Sequence, residues 1–155
     1  IQKRDSHAID VLIQGLVLCG VAMSLVSLSR PASGAEHMLS HYWEMEFHEK
    51  GLPVHFHGTK VGIATPIIAR VFEKMDEYLP DEVRKMLVPS EVCMDYLKRS
   101  GLPTHPKEVG VDRELLVRSL CEAYTVRKRY SILQLAVEKG RIRDIANEIA
   151  DEYQY

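Results

Sequence analysis

Cysteine is scarce and unpaired: Cys19, Cys93 and Cys121 stand far apart, odd in number, with no C-x-x-C spacing. This excludes a disulfide framework and favours reduced thiols in a cytosolic protein, placed to fill helical patterns rather than to attack substrate. An excess of one charge is also missing. With 20 Lys and Arg against 22 Asp and Glu, the formal net charge is −2, so there is no basic footprint for nucleic acid. No stretch of strand length alternates with period two, and no internal repeat, low-complexity tract or long linker interrupts the chain. GxSxG, the Walker loop and GxGxxG are absent, so nothing in these residues would cradle a nucleotide phosphate.

What remains is an ordinary globular composition: 155 residues, 46% hydrophobic and 27% charged. A chain of this length buries about 70% of its unfolded surface and needs no covalent staples. It opens at Ile1 rather than Met, which suggests that the natural N-terminus lies further upstream. One long hydrophobic run, residues 8–28, approaches the length of a bilayer span. Asp10, Gln14 and Ser24 interrupt it on one narrow stripe, and Gly15, Gly20 and Ala22 suit close helix contact. The run therefore reads as a central buried helix of a helical domain and not as a membrane span.

Helix signals continue to the end. Ser33 and Glu36 form an S-x-x-E capping box ahead of a helix running toward Phe47. A second helix is expected from near His57 or Thr59, with Pro66 inside it. Asp81 and Ser90 open shorter helices, the latter stopping at Gly101. Residues 101–111 read as a loop. Asp112 opens an amphipathic helix, Ser131 and Gln134 a second capping box, and Gly140 a C-terminal stop before the last helix. The expectation is an all-α domain over 1–155 with seven or eight helices.

Histidine is the informative residue, with five of the seven between 37 and 57. His37 and His41 share a helix face, and His55 and His57 follow the next loop. Two imidazoles and a carboxylate make a common ligand set for a divalent metal. The plainer alternatives stay open: a core histidine for His41, solvated loops for His48 and His55, and a surface loop for His105. Arg30, beside the first turn at His37, suits a carboxylate or phosphate but equally a surface ion pair. Arg127, Lys128 and Arg129 are explained by the dipole of the helix they end, and Asp144, Glu148, Asp151 and Glu152 by solvation.

The stretch Ser29-Arg30-Pro31-Ala32-Ser33-Gly34-Ala35-Glu36-His37, followed by His57-Gly58 and Val61-Gly62, resembles the glycerol-1-phosphate dehydrogenases. These belong to the wider superfamily of dehydroquinate synthase, glycerol dehydrogenase and iron-containing alcohol dehydrogenases. The likeness continues through Gly101-Leu102-Pro103-Thr104, Glu108-Val109-Gly110 and Arg129-Tyr130-Ser131-Ile132-Leu133. It implies the C-terminal helical, metal-binding domain of the dehydroquinate synthase-like fold, partnered by an N-terminal α/β domain that binds NAD(P). By the same likeness His37 and His57 are the catalytic metal ligands, the third ligand being an Asp that falls before Ile1. Arg30, Ser33 and His41 become candidates for substrate contact. The implied metal is zinc, with nickel or iron fitting the same ligands, and the implied substrates are dihydroxyacetone phosphate and sn-glycerol 1-phosphate. Alone, this chain is expected to bind metal weakly and turn over nothing. A dehydroquinate synthase-like lyase and a non-catalytic helical interaction module are the alternatives. A cytoplasmic setting and a homo-oligomer complete the expectation.

Overall fold

The computed structural model describes residues 5–155, and these are helical throughout, with eight α-helices, short 3-10 turns and no strand. The all-α expectation of seven or eight helices is met. The chain divides into two compact units, one ending at Gly34 and the other spanning Ala35–Tyr155.

The first unit is α1 (Ser6–Val26) and a 3-10 turn, Arg30–Ala32. Asp5 caps α1, its carboxylate accepting from the Ala8 N–H at 2.8 Å. Ser27 ends it in the left-handed region at φ 50°. The expected buried helix is not what forms. Ala8 is the buried residue of α1, while Leu16, Leu18 and Leu25 stand 64–81% exposed. A Cβ added at Gly15 or Gly20 would meet nothing within 4 Å. The reason is physical: a helix apolar on most sides must be covered by a second apolar surface, and one 3-10 turn does not supply it. By length and composition α1 is long and apolar enough to cross a membrane.

The second unit holds α2 (Ala35–Glu49), α3 (His57–Lys74), α4 (Asp81–Arg84), α5 (Ser90–Ser100), α6 (Arg113–Glu122), α7 (Ile132–Glu138) and α8 (Ile142–Glu152). α2 packs on α3, α3 on α5 and α8, and α6 on α8. Their facing stripes bury Trp43 and Phe47 from α2, Ile63 and Ile67 from α3, Leu116 and Leu120 from α6, and Ile145 and Ile149 from α8. Full burial of each such aliphatic or aromatic side chain is worth about 1.5–3 kcal/mol. The one indole is satisfied inside: Trp43 Nε1–H donates to Ser119 Oγ at 2.9 Å, and that hydroxyl donates onward to the Leu116 carbonyl.

Two expected caps form, whereas Asp81 does not cap α4: it is the helix's first residue, and Pro80 holds the cap position without a side-chain bond. Asp112 accepts from the Leu115 N–H at 2.8 Å and Ser131 from the Gln134 N–H at 3.4 Å. The second capping box closes only by half, because the Gln134 amide donates to Glu138. Gly101 at φ 69° and Gly140 at φ 67° take the left-handed geometry that ends α5 and follows α7. At Gly62 closeness matters instead: a Cβ there would lie 3.1 Å from Leu97 Cδ2, so glycine lets α5 approach α3.

Candidate metal centre

On α2 the residues 37, 41 and 44 recur every three to four positions and so share one stripe, next to the apolar stripe of Leu39, Trp43 and Phe47. Burying the latter brings the former against the start of α3, where His57 is the first residue and Lys60 lies one turn on. The His41 and His57 rings stack with centroids 5.1 Å apart, and the His37 and His57 rings lie 5.4 Å apart, tilted by 53°. Three imidazoles from two helices thus gather in one place.

The carboxylate among them is Glu44. It accepts from His57 Nδ1 at 2.8 Å, His41 Nδ1 at 3.0 Å and the Lys60 ammonium at 3.0 Å. Burial alone would raise its carboxyl, but the hydrogen bonds from His57, Lys60 and His41 win and hold it at about 2. Lys60 is 0% exposed, an unusual place for an ammonium. It is tolerated because Nζ also donates to the His55 carbonyl at 2.5 Å.

Each ring's protonation follows from its partners. His37 Nδ1 lies 2.7 Å from a Glu36 carboxylate oxygen and His57 Nδ1 2.8 Å from Glu44, and a carboxylate only accepts, so both Nδ1 atoms carry the proton. In the neutral rings this leaves the Nε2 lone pairs, which meet no hydrogen-bond partner among the described residues. His41 differs: the Arg127 guanidinium, which only donates, contacts its Nε2 at 2.9 Å. Its lone pair is therefore already engaged.

Ligand-capable atoms of His41, Glu44 and His57 lie within 4.8 Å of one another, close enough to hold a cation. Their chemistry divides them. Glu44 is committed to three donors, a buried ammonium among them, whereas His37 and His57, each backed by a carboxylate, keep an Nε2 without a partner among the described residues. That backing is the usual way a ligating imidazole is oriented.

The other expected residues fall as follows. Arg30 is exposed in the first unit's 3-10 turn, and Ser33 ends that turn with its N–H on the Arg30 carbonyl. His48 and His55 have exposed side chains. His105 lies in the loop before the 3-10 turn Pro106–Val109, half-buried, where Nδ1 accepts from the Lys107 N–H and Nε2 donates to the Tyr153 carbonyl at 2.8 Å. The cysteines are free: Cys19 is exposed, Cys93 is half-buried, and Cys121 is half-buried and packs against the core. The acidic residues of α8 are more than a solvated face, since Glu148 and Glu152 meet Lys74, Glu152 meets Arg70 and Asp151 meets Arg113. Sequence reasoning misses Glu44, Lys60 and Arg127. The His41-x-x-Glu44 spacing is a usable signal for the first of these, and nothing local points to the other two.

No family model matches the chain. Relatives do. It is 38% identical to the glycerol-1-phosphate dehydrogenase (NAD(P)+) of Geobacillus thermodenitrificans across 83% of this chain and 38% of the relative. It is 32% identical to that of Bacillus subtilis across 89% of this chain and 38% of the relative. With the Thermococcus kodakarensis protein of the same name it shares 34% identity across 97% of this chain and 37% of the relative. The chain thus spans well under half the length of the curated relatives it matches. This similarity, spread over nearly all of the chain's residues, is to one part of the glycerol-1-phosphate dehydrogenases.

Proposed function

We propose that this chain is the metal-holding helical part of an NAD(P)-dependent dehydrogenase that interconverts dihydroxyacetone phosphate and sn-glycerol 1-phosphate. The observation that carries the reading is the pair of imidazoles, His37 and His57, each anchored at Nδ1 by a carboxylate and each with an Nε2 that meets no partner among the described residues. His37 and His57 would hold a divalent cation, zinc first and nickel or iron as fits for the same donors. When bound, such a cation polarises the oxygen of the secondary alcohol or ketone. The residues of this chain hold that arrangement in place. Glu36 orients His37, Glu44 orients His57, and Lys60 fixes Glu44. In the overall reaction the alcohol carbon gives a hydride to NAD(P)+ and the hydroxyl gives up a proton, leaving ketone, NAD(P)H and H+. The nicotinamide site is assigned to the part of the relatives' length that this chain does not span. The three free thiols suit a cytoplasmic setting.

The test is NADH consumption with dihydroxyacetone phosphate by the full-length natural protein supplied with zinc or nickel. Turnover that disappears in His57→Ala together with metal stoichiometry supports the reading. Undiminished turnover in that variant, or none in the metal-loaded parent, would sink it.

A further inference from the structure

Arg127 follows the 3-10 turn Ala123–Thr125, 86 positions from His41, yet its Nη2–H donates to His41 Nε2 at 2.9 Å. Of the other arginines in the second unit, Arg70, Arg84, Arg99, Arg113, Arg118 and Arg141 each meet a carboxylate. Arg127 is half-buried, and among the described residues no carboxylate pairs with it. A guanidinium stays charged throughout the accessible pH range, and a neutral imidazole lone pair does not balance that charge. Among the described residues one of its five N–H groups has a partner, leaving a fork suited to two oxygens of one anion.

Its place gives that capacity a use. His41 stacks on His57 at 5.1 Å, and His57 neighbours His37 at 5.4 Å. An anion held by Arg127 therefore lies one imidazole away from the pair assigned to the metal. That arrangement fits a substrate whose reacting oxygen and anionic group are joined by a short carbon chain. The contact also has a positioning effect: by engaging His41 Nε2, Arg127 keeps the His41 proton on Nδ1 and directed at Glu44.

We propose that Arg127, seated on His41, is an anion-binding residue that grips the phosphate of a phosphorylated ketone or alcohol beside His37 and His57. The proposal rests on the dehydrogenase reading for the identity of the ligand, and on the Arg127–His41 contact for the site.

The experiment uses the full-length natural protein with Arg127→Met, Arg127→Lys and, as a neighbouring cation, Lys128→Met. Inorganic phosphate binding is followed by calorimetry, zinc stoichiometry by elemental analysis, and KM for dihydroxyacetone phosphate against unphosphorylated dihydroxyacetone. Arg127→Met should weaken phosphate binding and raise KM for the phosphorylated ketone by about 10- to 100-fold, the scale of charge-assisted hydrogen bonds. Zinc stoichiometry should hold, and the reaction of the unphosphorylated ketone should lose far less than that of the phosphorylated one. Arg127→Lys should lose several-fold, having charge but no fork, and Lys128→Met nothing. Full phosphate affinity in Arg127→Met, or equal losses for both ketones, would overturn the proposal. Should Arg127→Met not fold, Arg127→Lys decides: a several-fold loss with zinc retained supports the site, and unchanged phosphate affinity overturns it. If neither ketone is turned over while phosphate binding still depends on Arg127, the dehydrogenase reading falls and the anion site stands. If turnover needs His57 while phosphate binding is indifferent to Arg127, the anion site falls and the dehydrogenase reading stands.

Discussion

Two regions of the second unit are rich in charge, and they differ in what their charges are doing. One is a groove of about 610 Å³ between α3, α5 and α8, lined by Arg70, Glu73, Ser90, Lys98, Glu152 and Tyr153 among others. There Arg70 meets both Glu73 and Glu152, Lys74 meets Glu148 and Glu152, and Glu73 accepts from the Ser90 N–H at 2.6 Å. These main charges are spent on one another. The other is the cluster of His37, His41, Glu44, His57, Lys60 and Arg127. There the carboxylates face imidazoles, two Nε2 lone pairs face no protein donor among the described residues, and one guanidinium rests on a neutral ring. The groove offers volume, but the cluster is the one with coordination capacity left over. Capacity of that kind, rather than volume or charge density, marks a candidate site.

The largest effects should separate the two regions completely. His37→Ala or His57→Ala should lower zinc affinity by more than the roughly 10- to 100-fold that loss of a mere supporting partner costs. Titration calorimetry on the natural protein checks this, and an unchanged affinity would transfer the metal to His41 and Glu44. Glu44→Gln comes next. It keeps the shape but removes the negative charge that His57, His41 and Lys60 share. An orienting carboxylate predicts a loss of about 10- to 100-fold in zinc affinity with stoichiometry intact, together with a mixed tautomer at His57 in nitrogen NMR. Absence of both changes would show Glu44 to be a bystander.

What the sequence makes legible depends on the range over which each signal acts. Local signals carry the helix ends, since Asp112, Ser131, Gly101 and Gly140 act on backbone groups within a few residues. His37 and His41 share a face by helical spacing alone, but that they meet His57 follows from the motif likeness and not from periodicity. Glu44 is half visible, as the third residue after His41 on the same face. Its bond to His57 crosses a loop, and Lys60 turns inward at a position where a lysine normally stays wet. Arg127 reads locally as answering a helix dipole, because a contact spanning 86 residues leaves no trace in local pattern. The α1 run shows the converse. Its apolarity states a need for cover but does not say which surface supplies it.

In the groove the effects should be smaller and should leave zinc alone. Glu73→Ala removes the acceptor for the Ser90 N–H and Oγ at the start of α5, where Pro89 has no side-chain oxygen to replace it. A lost helix cap costs about 1–2 kcal/mol, which urea unfolding at neutral pH will register as a lower midpoint. Equal stability would mean that another group takes over the cap.

Glu152→Gln is the mildest and the most exacting test, because it pits charge against shape. Glu152 bonds Arg70 at 2.8 Å and Lys74 at 3.1 Å, and both partners of the Arg70 pair are well exposed. An exposed pair of this kind contributes about 0–1 kcal/mol. Its carboxyl sits below the ordinary value chiefly through the Arg70 hydrogen bonds, with Lys74 adding to them against the cost of burial. A depressed native value means stabilisation that is complete above the unfolded carboxyl range, about 4.3, and is lost as pH falls through the lower native value. Wild type should therefore exceed Glu152→Gln slightly at pH 7, and the gap should close in acid, where a protonated glutamate pairs no better than glutamine. A gap that persists at low pH would trace the effect to packing. A fall in zinc affinity on the same substitution would show that the groove and the histidine cluster, joined through α3, do not act independently.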